Sequence, residues 1–252
     1  MGLSKHINGV LGTLTGYTLQ KKVRQSDVKL TKTLTDVFKN LRTFQLTATD
    51  REWKQLLFYY EMMGKIQGIP GDIIECGVSG GISFISFARL NNIFERGLDH
   101  KEYRKLYGFD SFEGLPRLTQ EDKSDLVTNL EMKEGGFYDP LAYDDLIRFS
   151  EKENNVFLIK GWFDQSIPNF KEKHPHIGIA LLHIDCDLYE STKVVLTELW
   201  DHIVPGGVVV FDELYHKDFP GETKAFMEVL NGKGFDLKKS SIKPDKKYVI
   251  KY

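Results

Sequence analysis

Two acidic pairs in this sequence follow apolar runs, at the points where buried strands are predicted to end. Asp185 and Asp187 come after the run 177–184. Asp212 and Glu213 come after a second apolar run. In open α/β sheets ligands bind outside the carboxyl ends of such strands, and four carboxylates meeting there repel one another unless they are compensated. A hard divalent cation with oxygen ligands is the simplest compensation, so the spacing predicts a cation site.

A glycine-rich turn, residues 75–81, follows the first predicted strand and opens a helix. Such turns let a ligand approach backbone N–H groups closely. The turn does not have the G-x-G-x-x-G pattern of a dinucleotide-binding site. In such a site an acidic residue that contacts the ribose follows the glycines, but Asp110, at the end of the next strand, lies further along the chain than this residue usually does. Both observations disfavour NAD binding. The turn does match G-x-S-x-G with Ser79 as nucleophile, but that motif normally follows several strands, and here only helices precede the first strand, which disfavours a hydrolase. A plain tight turn stays open as an alternative.

Strand and helix patterns alternate along the rest of the chain. The predicted strands are 73–76, 105–109, 156–160, 177–184 and 207–211, and the helices after them start at Ile82, Leu141, Ile167, Glu190 and Glu222. Two last apolar segments, 235–242 and 247–252, are separated only by a turn and must pair antiparallel. The pattern predicts an α/β fold with a doubly wound, mostly parallel seven-stranded sheet and an antiparallel terminal hairpin.

Helical patterns at 27–46 and 50–67 precede the sheet. We therefore expect residues 1–68 to form an N-terminal helical extension or lid, and residues 69–252 to form one domain. The irregular stretch 111–140 exceeds ordinary loop lengths, which predicts a lid loop over a binding site. Its charged residues indicate a solvated loop when the site is empty.

Composition narrows the class of partner and compartment. The 252 residues carry a net charge of −2, so there is no overall basic field for nucleic acid, and a small molecule or glycan is expected instead. Cys76 and Cys186 both fall at predicted strand ends, which suits reduced thiols in a cytoplasmic protein. No apolar segment is long enough for a transmembrane helix, and the first residues do not have the pattern of a signal peptide.

Five blocks in a fixed order carry a family resemblance: Glu-Cys-Gly at 75–77, Tyr-Gly-Phe-Asp-Ser-Phe-Glu-Gly-Leu-Pro at 107–116, Asp-Cys-Asp-Leu-Tyr-Glu-Ser-Thr at 185–192, Pro-Gly-Gly at 205–207 and Asp-Glu at 212–213. Over Gly71–Phe226 the chain resembles the macrocin O-methyltransferase (TylF-type) family. The resemblance implies a class I, Rossmann-like methyltransferase that uses S-adenosylmethionine and magnesium to methylate a hydroxyl, usually of a sugar. We also expect the protein to form a homo-oligomer, namely a dimer.

The resemblance also implies roles for individual residues. The implied cofactor contacts are Glu75, Gly77, Ser83, Asp110, Ser111, Asp164 and Asp185. The implied metal ligands are Asp185, Asp212 and Glu213, and the implied general base is Asp187. Members of the family typically have two aspartates where this chain has Asp212 and Glu213, and the Glu213 side chain is longer by one methylene.

Several of these residues have simpler roles open to them. Asp110 could cap a turn, and Asp187 could be the N-cap of the helix that starts near Glu190. His183, inside an apolar strand, is expected to be a satisfied core histidine and not a ligand. Two other functions also remain open: a glycosyltransferase, in which Asp-x-Asp holds a metal and a nucleotide sugar, and a non-catalytic cofactor-binding scaffold.

Overall fold

A computed structural model describes residues 34–95, 103–124, 127 and 133–252 of the chain. The chain divides into two compact units, 1–49 and 50–252. The described part of the first unit contains helix α1 (Leu34–Thr47). The start predicted for this helix, at residue 27, lies outside the described residues.

The second unit contains the sheet and the helices that cover it. Its helices are α2 (Asp50–Lys65), α3 (Ile82–Phe94), α4 (Pro140–Ser150), α5 (Phe163–Lys173), α6 (Tyr189–Leu199) and α7 (Pro220–Val229), with a short 3-10 turn at Trp200–His202. Its strands are β1 (Asp72–Cys76), β2 (Leu106–Asp110), β3 (Val156–Lys160), β4 (Ile179–Ile184), β5 (Ile203–Phe211), β6 (Phe235–Lys239) and β7 (Lys247–Lys251). None of the described helices combines the length and apolar character needed to cross a bilayer.

The seven strands form one sheet in the order β3-β2-β1-β4-β5-β7-β6. Strands β1 to β5 are parallel, and β7 runs antiparallel between β5 and β6. The predicted doubly wound sheet with a terminal hairpin is confirmed. Because the chain order reverses between β1 and β4, the carboxyl ends of these two strands form the switch point at which open α/β sheets bind ligands.

The core lies on both faces of the sheet. All six residues of β4 are buried, and the strand contributes to both apolar clusters: Leu182 lies in one and Leu181 in the other. Helix α2 contributes Phe58 and Met62 to the second cluster. This helix therefore belongs to the compact unit that begins at Asp50, and the function of residues 1–68 as a lid stays a prediction.

Two predicted element starts were wrong by four residues. Helix α5 begins at Phe163 and not at Ile167, because the N–H of Ser166 already donates to the carbonyl of Trp162 at 2.8 Å, ahead of Pro168. Pro168 lies inside this helix, where its ring nitrogen cannot donate a helical hydrogen bond to the carbonyl of Asp164. Strand β5 begins at Ile203 and not at Gly207, because the Pro-Gly-Gly segment before the apolar run is also part of the strand. The pairing of this first part of β5 with β4 contains a register shift.

Candidate active site

The chain leaves β1, β4 and β5 at a single edge of the sheet. The N–H of Asp185 donates to the carbonyl of Cys76 at 2.9 Å, and the N–H of Asp212 donates to the carbonyl of Ile184 at 3.0 Å. The residues directly after β4 and β5 are therefore held side by side. The sequence-based expectation that the two acidic pairs follow neighbouring strands is confirmed.

Gly77 has a steric reason to be glycine. Its φ is +94°, and a Cβ at this position would lie 1.8 Å from the carbonyl oxygen of Asp185. No other residue fits so close to the neighbouring backbone. The glycine turn after β1 is thus required by the packing of two strand ends, whether or not a ligand also approaches it.

A cleft of about 580 Å³ opens at this edge, a size typical of small-molecule sites. Its wall includes Gly77, Ser79, Asp110, Ser111, Trp162, Phe163, Asp164, Asp185 and Asp187. The structure therefore brings together most of the residues singled out in the sequence. Glu75, Ser83, Asp212 and Glu213 are outside the cleft wall.

Asp110 joins the two loops on either side of the cleft. Its carboxylate accepts the N–H of Ser79 at 2.8 Å and the N–H of Phe112 at 2.7 Å. Both donors have positive φ, 47° and 51°, a conformation that costs energy for non-glycine residues. The turn-capping alternative for Asp110 is correct, but a carboxylate has about four lone-pair positions, so two remain for a ligand in the cleft.

Glu75 and Ser83 lie behind the cleft wall. Glu75 is fully buried and faces His183 on the neighbouring strand, with its Oε1 3.0 Å from the Nδ1 of the ring. Ser83 is 5% exposed in the first turn of α3. These positions give no geometric support to the predicted cofactor contacts of the two residues.

Asp187 lies at the centre of a three-residue turn that directs it to the cleft. Its φ is 59°, and the N–H of Leu188 donates to the carbonyl of Cys186 across it at 2.5 Å. Such a turn is strained, and strained backbone is often found at functional sites. Burial and the charge of Asp212 raise the pKa of Asp187 to about 6.

The alternative role of Asp187, as N-cap of α6, is wrong. The N-cap residue is Leu188, which makes no side-chain cap bond. Instead the carboxylate of Asp122, from the predicted lid loop, accepts the N–H of Tyr189 at 2.7 Å. A carboxylate at this position also interacts favourably with the positive end of the helix dipole.

Asp122 is consequently buried, contrary to the expectation of a solvated loop. It is 2% exposed, and its second oxygen accepts both the N–H and the hydroxyl of Thr119 at 2.8 Å. Nearby, the hydroxyl of Ser124 donates to the carbonyl of Asp218 at 2.7 Å. This first part of the loop is therefore anchored beside α6 and α7.

His183, Asp185 and Asp212 form a compact set of potential metal ligands. A ring nitrogen of His183 and one carboxylate oxygen from each aspartate lie within 4.8 Å of one another. Burial raises the pKa of Asp185 well above its ordinary value, and the charges of Asp212 and Asp187 raise it further. Ligands of this chemistry fit a divalent cation, which would relieve that repulsion.

His183 is not the satisfied core histidine that the sequence suggested. The ring is fully buried and its Nδ1 is paired with Glu75, but its Nε2 has no hydrogen-bond partner among the described residues. A buried polar nitrogen without a partner costs free energy unless a ligand or water satisfies it. The sequence signal was available, since His183 lies two residues before Asp185, and side chains two residues apart in an extended chain point to the same side.

Lys246 is a component of the site that the sequence did not reveal. Its Nζ lies 2.6 Å from Oδ2 of Asp212, 2.8 Å from the carbonyl oxygen of Asp212 and 3.9 Å from Oε1 of Glu213. Burial raises the pKa of Asp212, but the charges of Lys246 and His183 and hydrogen bonds from Lys246 and Glu213 together outweigh it, and the net shift is downward. The carboxylates at this edge are thus partly compensated by the protein itself.

Glu213 and Glu222 extend the acidic set away from the cleft. Burial, followed by the charge of Asp212, raises the pKa of Glu213 to about 8. The N–H of Glu213 donates to Oε1 of Glu222 at 2.9 Å, and Glu222 is fully buried with its Oε2 unpartnered among the described residues. Burial raises the pKa of Glu222 well above its ordinary value.

Sequence comparisons place this site among methyltransferases. The sequence profile of the Macrocin-O-methyltransferase (TylF) family matches residues 22–230. The 8-demethyl-8-(2,3-dimethoxy-alpha-L-rhamnosyl)-tetracenomycin-C 4'-O-methyltransferase of Streptomyces olivaceus is 31% identical over 58% of the chain and 54% of its own length. The Mycinamicin III 3''-O-methyltransferase of Micromonospora griseorubida is 30% identical over 58% of the chain and 56% of its own length. The chain thus matches these curated relatives over about half of their length.

Solved structures share the fold. CalS11, a calicheamicin methyltransferase, is 25% identical and superimposes with a TM-score of 0.74 over 85% of each chain. The O-methyltransferase NovP is 23% identical, with a TM-score of 0.59 over 79% of each chain. The doubly wound sheet of this protein is therefore the class I methyltransferase sheet, as predicted.

Proposed function

The chain belongs to the macrocin O-methyltransferase (TylF) family, and we propose that it transfers a methyl group from S-adenosylmethionine to a hydroxyl of a sugar. The observation that carries this proposal is that Asp110 and Asp187, from the ends of β2 and β4, line the same cleft. One carboxylate can hold a cofactor, and the other can accept a proton. A sugar as acceptor is supported by the relative whose name includes a rhamnosyl group.

The donor chemistry of the cleft fits S-adenosylmethionine. Asp110 keeps lone pairs for the paired hydroxyls of a ribose after accepting two backbone N–H groups. Trp162 and Phe163 offer aromatic surface to an adenine, with Asp164 beside them. When bound, the cofactor supplies a methyl group on a sulfonium, so the protein has no electrophile to activate.

Asp187 is the proposed general base. A sugar hydroxyl is a poor nucleophile until its proton is removed, and an efficient base has a pKa close to the working pH. With a pKa of about 6, Asp187 is mostly ionised at neutral pH and still basic enough to accept the proton. The turn around it fixes its position in the cleft wall.

Asp185 and Asp212 would hold the proposed magnesium ion, whereas Glu213, the third predicted ligand, is not part of the compact set that these two residues form with His183. Such an ion supplies Lewis acidity, which lowers the pKa of a hydroxyl close to it. Asp185 is suited to connect the two parts of the site, because it lines the cleft and also belongs to the ligand set with Asp212. The unpartnered Nε2 of His183 is a further available donor.

The rival functions have less support. A glycosyltransferase needs cationic partners for a nucleotide diphosphate, and the part of the chain that the structure describes contributes no lysine or arginine to the cleft wall. A serine hydrolase needs a histidine beside the nucleophile, and the described residues of the cleft wall include none. A non-catalytic scaffold would have no need for clustered carboxylates, which destabilise a fold.

We further propose a cytoplasmic location and a dimer. Cys76 and Cys186 are both free and buried, which suits a reducing compartment. Size-exclusion chromatography with light scattering tests the dimer.

Cofactor binding tests the function without knowledge of the acceptor. S-adenosylmethionine should raise the melting temperature and NAD should not, because a ligand that binds only the folded state stabilises it. Methyl transfer is then followed with labelled cofactor on a panel of free and nucleotide-linked sugars. Stabilisation by NAD alone, or binding of the cofactor without transfer to any hydroxyl of the panel, would count against the proposal.

A further inference from the structure

Lys246 is not among the residues that line the cleft, and its ammonium contacts the acidic set at Asp212 and Glu213. The residue is 8% exposed, and its ammonium contacts Asp212 twice, through the carboxylate at 2.6 Å and the backbone carbonyl at 2.8 Å. The nearest alternative carboxylate is Glu213, at 3.9 Å. A buried ammonium is unfavourable without such partners, so Lys246 and Asp212 stabilise each other.

The hairpin holds Lys246 in place independently of its side chain. Its N–H donates to the carbonyl of Lys243 at 2.8 Å, and its carbonyl accepts the N–H of Ser240 at 3.0 Å. The next residue, Lys247 of β7, pairs with Phe211 of β5, and Phe211 is the residue directly before Asp212. The pairing of β7 with β5 therefore places Lys246, the residue before β7, next to the end of β5.

Asp212 also belongs to the candidate set of cation ligands. Asp212 lies within 4.8 Å of Asp185 and of a ring nitrogen of His183, which is fully buried. The Nε2 of that ring has no partner among the described residues. A divalent cation at these three residues would share Asp212 with an ammonium, and two positive charges at one carboxylate repel each other.

We propose that Lys246 is a built-in counter-ion that competes with a divalent cation for Asp212. It holds the acidic residues together when no cation is bound, and it lowers the affinity of the site for the cation. The inference rests on the cation site of the proposed function. It adds that this affinity is set by a lysine outside the ligand set.

The test compares Lys246→Met with the matched control Lys247→Met. Both substitutions remove one positive charge, but Nζ of Lys247 contacts the carbonyl of Asp245 and not the acidic set. Magnesium affinity is measured by titration calorimetry on the full chain. We expect Lys246→Met to bind magnesium at least about tenfold more tightly than wild type, because a single charge at this range changes ionic equilibria by that much or more. Lys247→Met should bind as wild type does.

Thermal unfolding adds a second measurement. In EDTA, Lys246→Met should melt below Lys247→Met, and magnesium should raise its melting temperature more. Equal or weaker magnesium binding by Lys246→Met would overturn the proposal, and so would the absence of magnesium binding to both wild type and Lys246→Met.

A third measurement uses the wild-type protein, in case Lys246→Met does not fold. Magnesium should shift the side-chain ammonium resonance of Lys246 in nitrogen-15 lysine spectra, assigned with Lys246→Arg. An unchanged resonance at saturating magnesium would contradict the proposal. None of these measurements contains cofactor or acceptor, so a failure of methyl transfer counts against the proposed function alone.

Discussion

The carboxylate of Asp122 accepts the backbone N–H of Tyr189 at 2.7 Å, which joins the start of the predicted lid loop to the first turn of α6. The contact lies two residues after Asp187, so the position of the proposed base depends on a residue far away in sequence. The space around it is tight, because a Cβ on Gly221 would lie 2.2 Å from Oδ1 of Asp122.

Asp122→Ala should therefore lower the free energy of unfolding by about 1 to 2 kcal/mol, the usual cost of losing a helix cap. Gly221→Ala should have the same direction of effect, since it displaces the same carboxylate. Chemical denaturation measures both. The control is Lys123→Ala, at an exposed neighbouring position, which should stay within about 0.5 kcal/mol of wild type. Equal stability of Asp122→Ala and Lys123→Ala would contradict the capping role.

Asp110→Ala should weaken the binding of S-adenosylmethionine by about tenfold or more, because it removes a charged hydrogen-bond acceptor from the cleft and releases Ser79 and Phe112. Titration calorimetry gives the affinities. Glu113→Ala, at an exposed position on the same loop, is the control and should bind as wild type does. If Asp110→Ala keeps the wild-type affinity, Asp110 has only its turn-capping role.

Asp185→Asn and Asp212→Asn should both lose magnesium affinity, since each removes a charged oxygen ligand from the proposed set. High magnesium should partly restore binding, and a chelator should abolish methyl transfer by the wild type. Calorimetric titration of the metal is the direct measurement. Wild-type magnesium affinity in either variant would remove that aspartate from the ligand set.

Glu61 provides a pH-dependent contribution to stability. Burial raises its pKa, but hydrogen bonds from Ser240 and Ser241 and the charge of Lys65 outweigh it, and the net shift is downward from 4.5. A group with a lowered pKa in the folded state stabilises the fold above its unfolded value, and this contribution is lost as the pH falls through the folded value.

Wild type should therefore be more stable than Glu61→Gln near neutral pH, and the difference should shrink once the pH falls below 4.5. Urea unfolding of both proteins across this range tests it, with Glu172→Gln at an exposed position as the control. A stability difference that does not change with pH would show that the charge of Glu61 is not involved.

The sheet and the residues that follow its strands could be predicted from the sequence, because the ends of strands and the motifs of a family are recognised from short stretches of sequence. Asp110 and Asp187 could be placed in one cleft for that reason. Lys246 could not be anticipated, because the sequence predicts the β6-β7 hairpin but not that β7 inserts beside β5. The prediction of a solvated loop was wrong at Asp122 for a similar reason. A charged side chain in a loop suggests exposure to solvent, but the partner of Asp122 is the start of helix α6, which is distant in sequence.

Single-turnover methyl transfer by Asp187→Asn tests the central claim most directly, when it is measured beside the affinities for S-adenosylmethionine and magnesium. We predict that both affinities stay close to wild type and that transfer slows by about two to four orders of magnitude, the usual effect of removing a general base. Near-wild-type transfer by Asp187→Asn would contradict the account of this site.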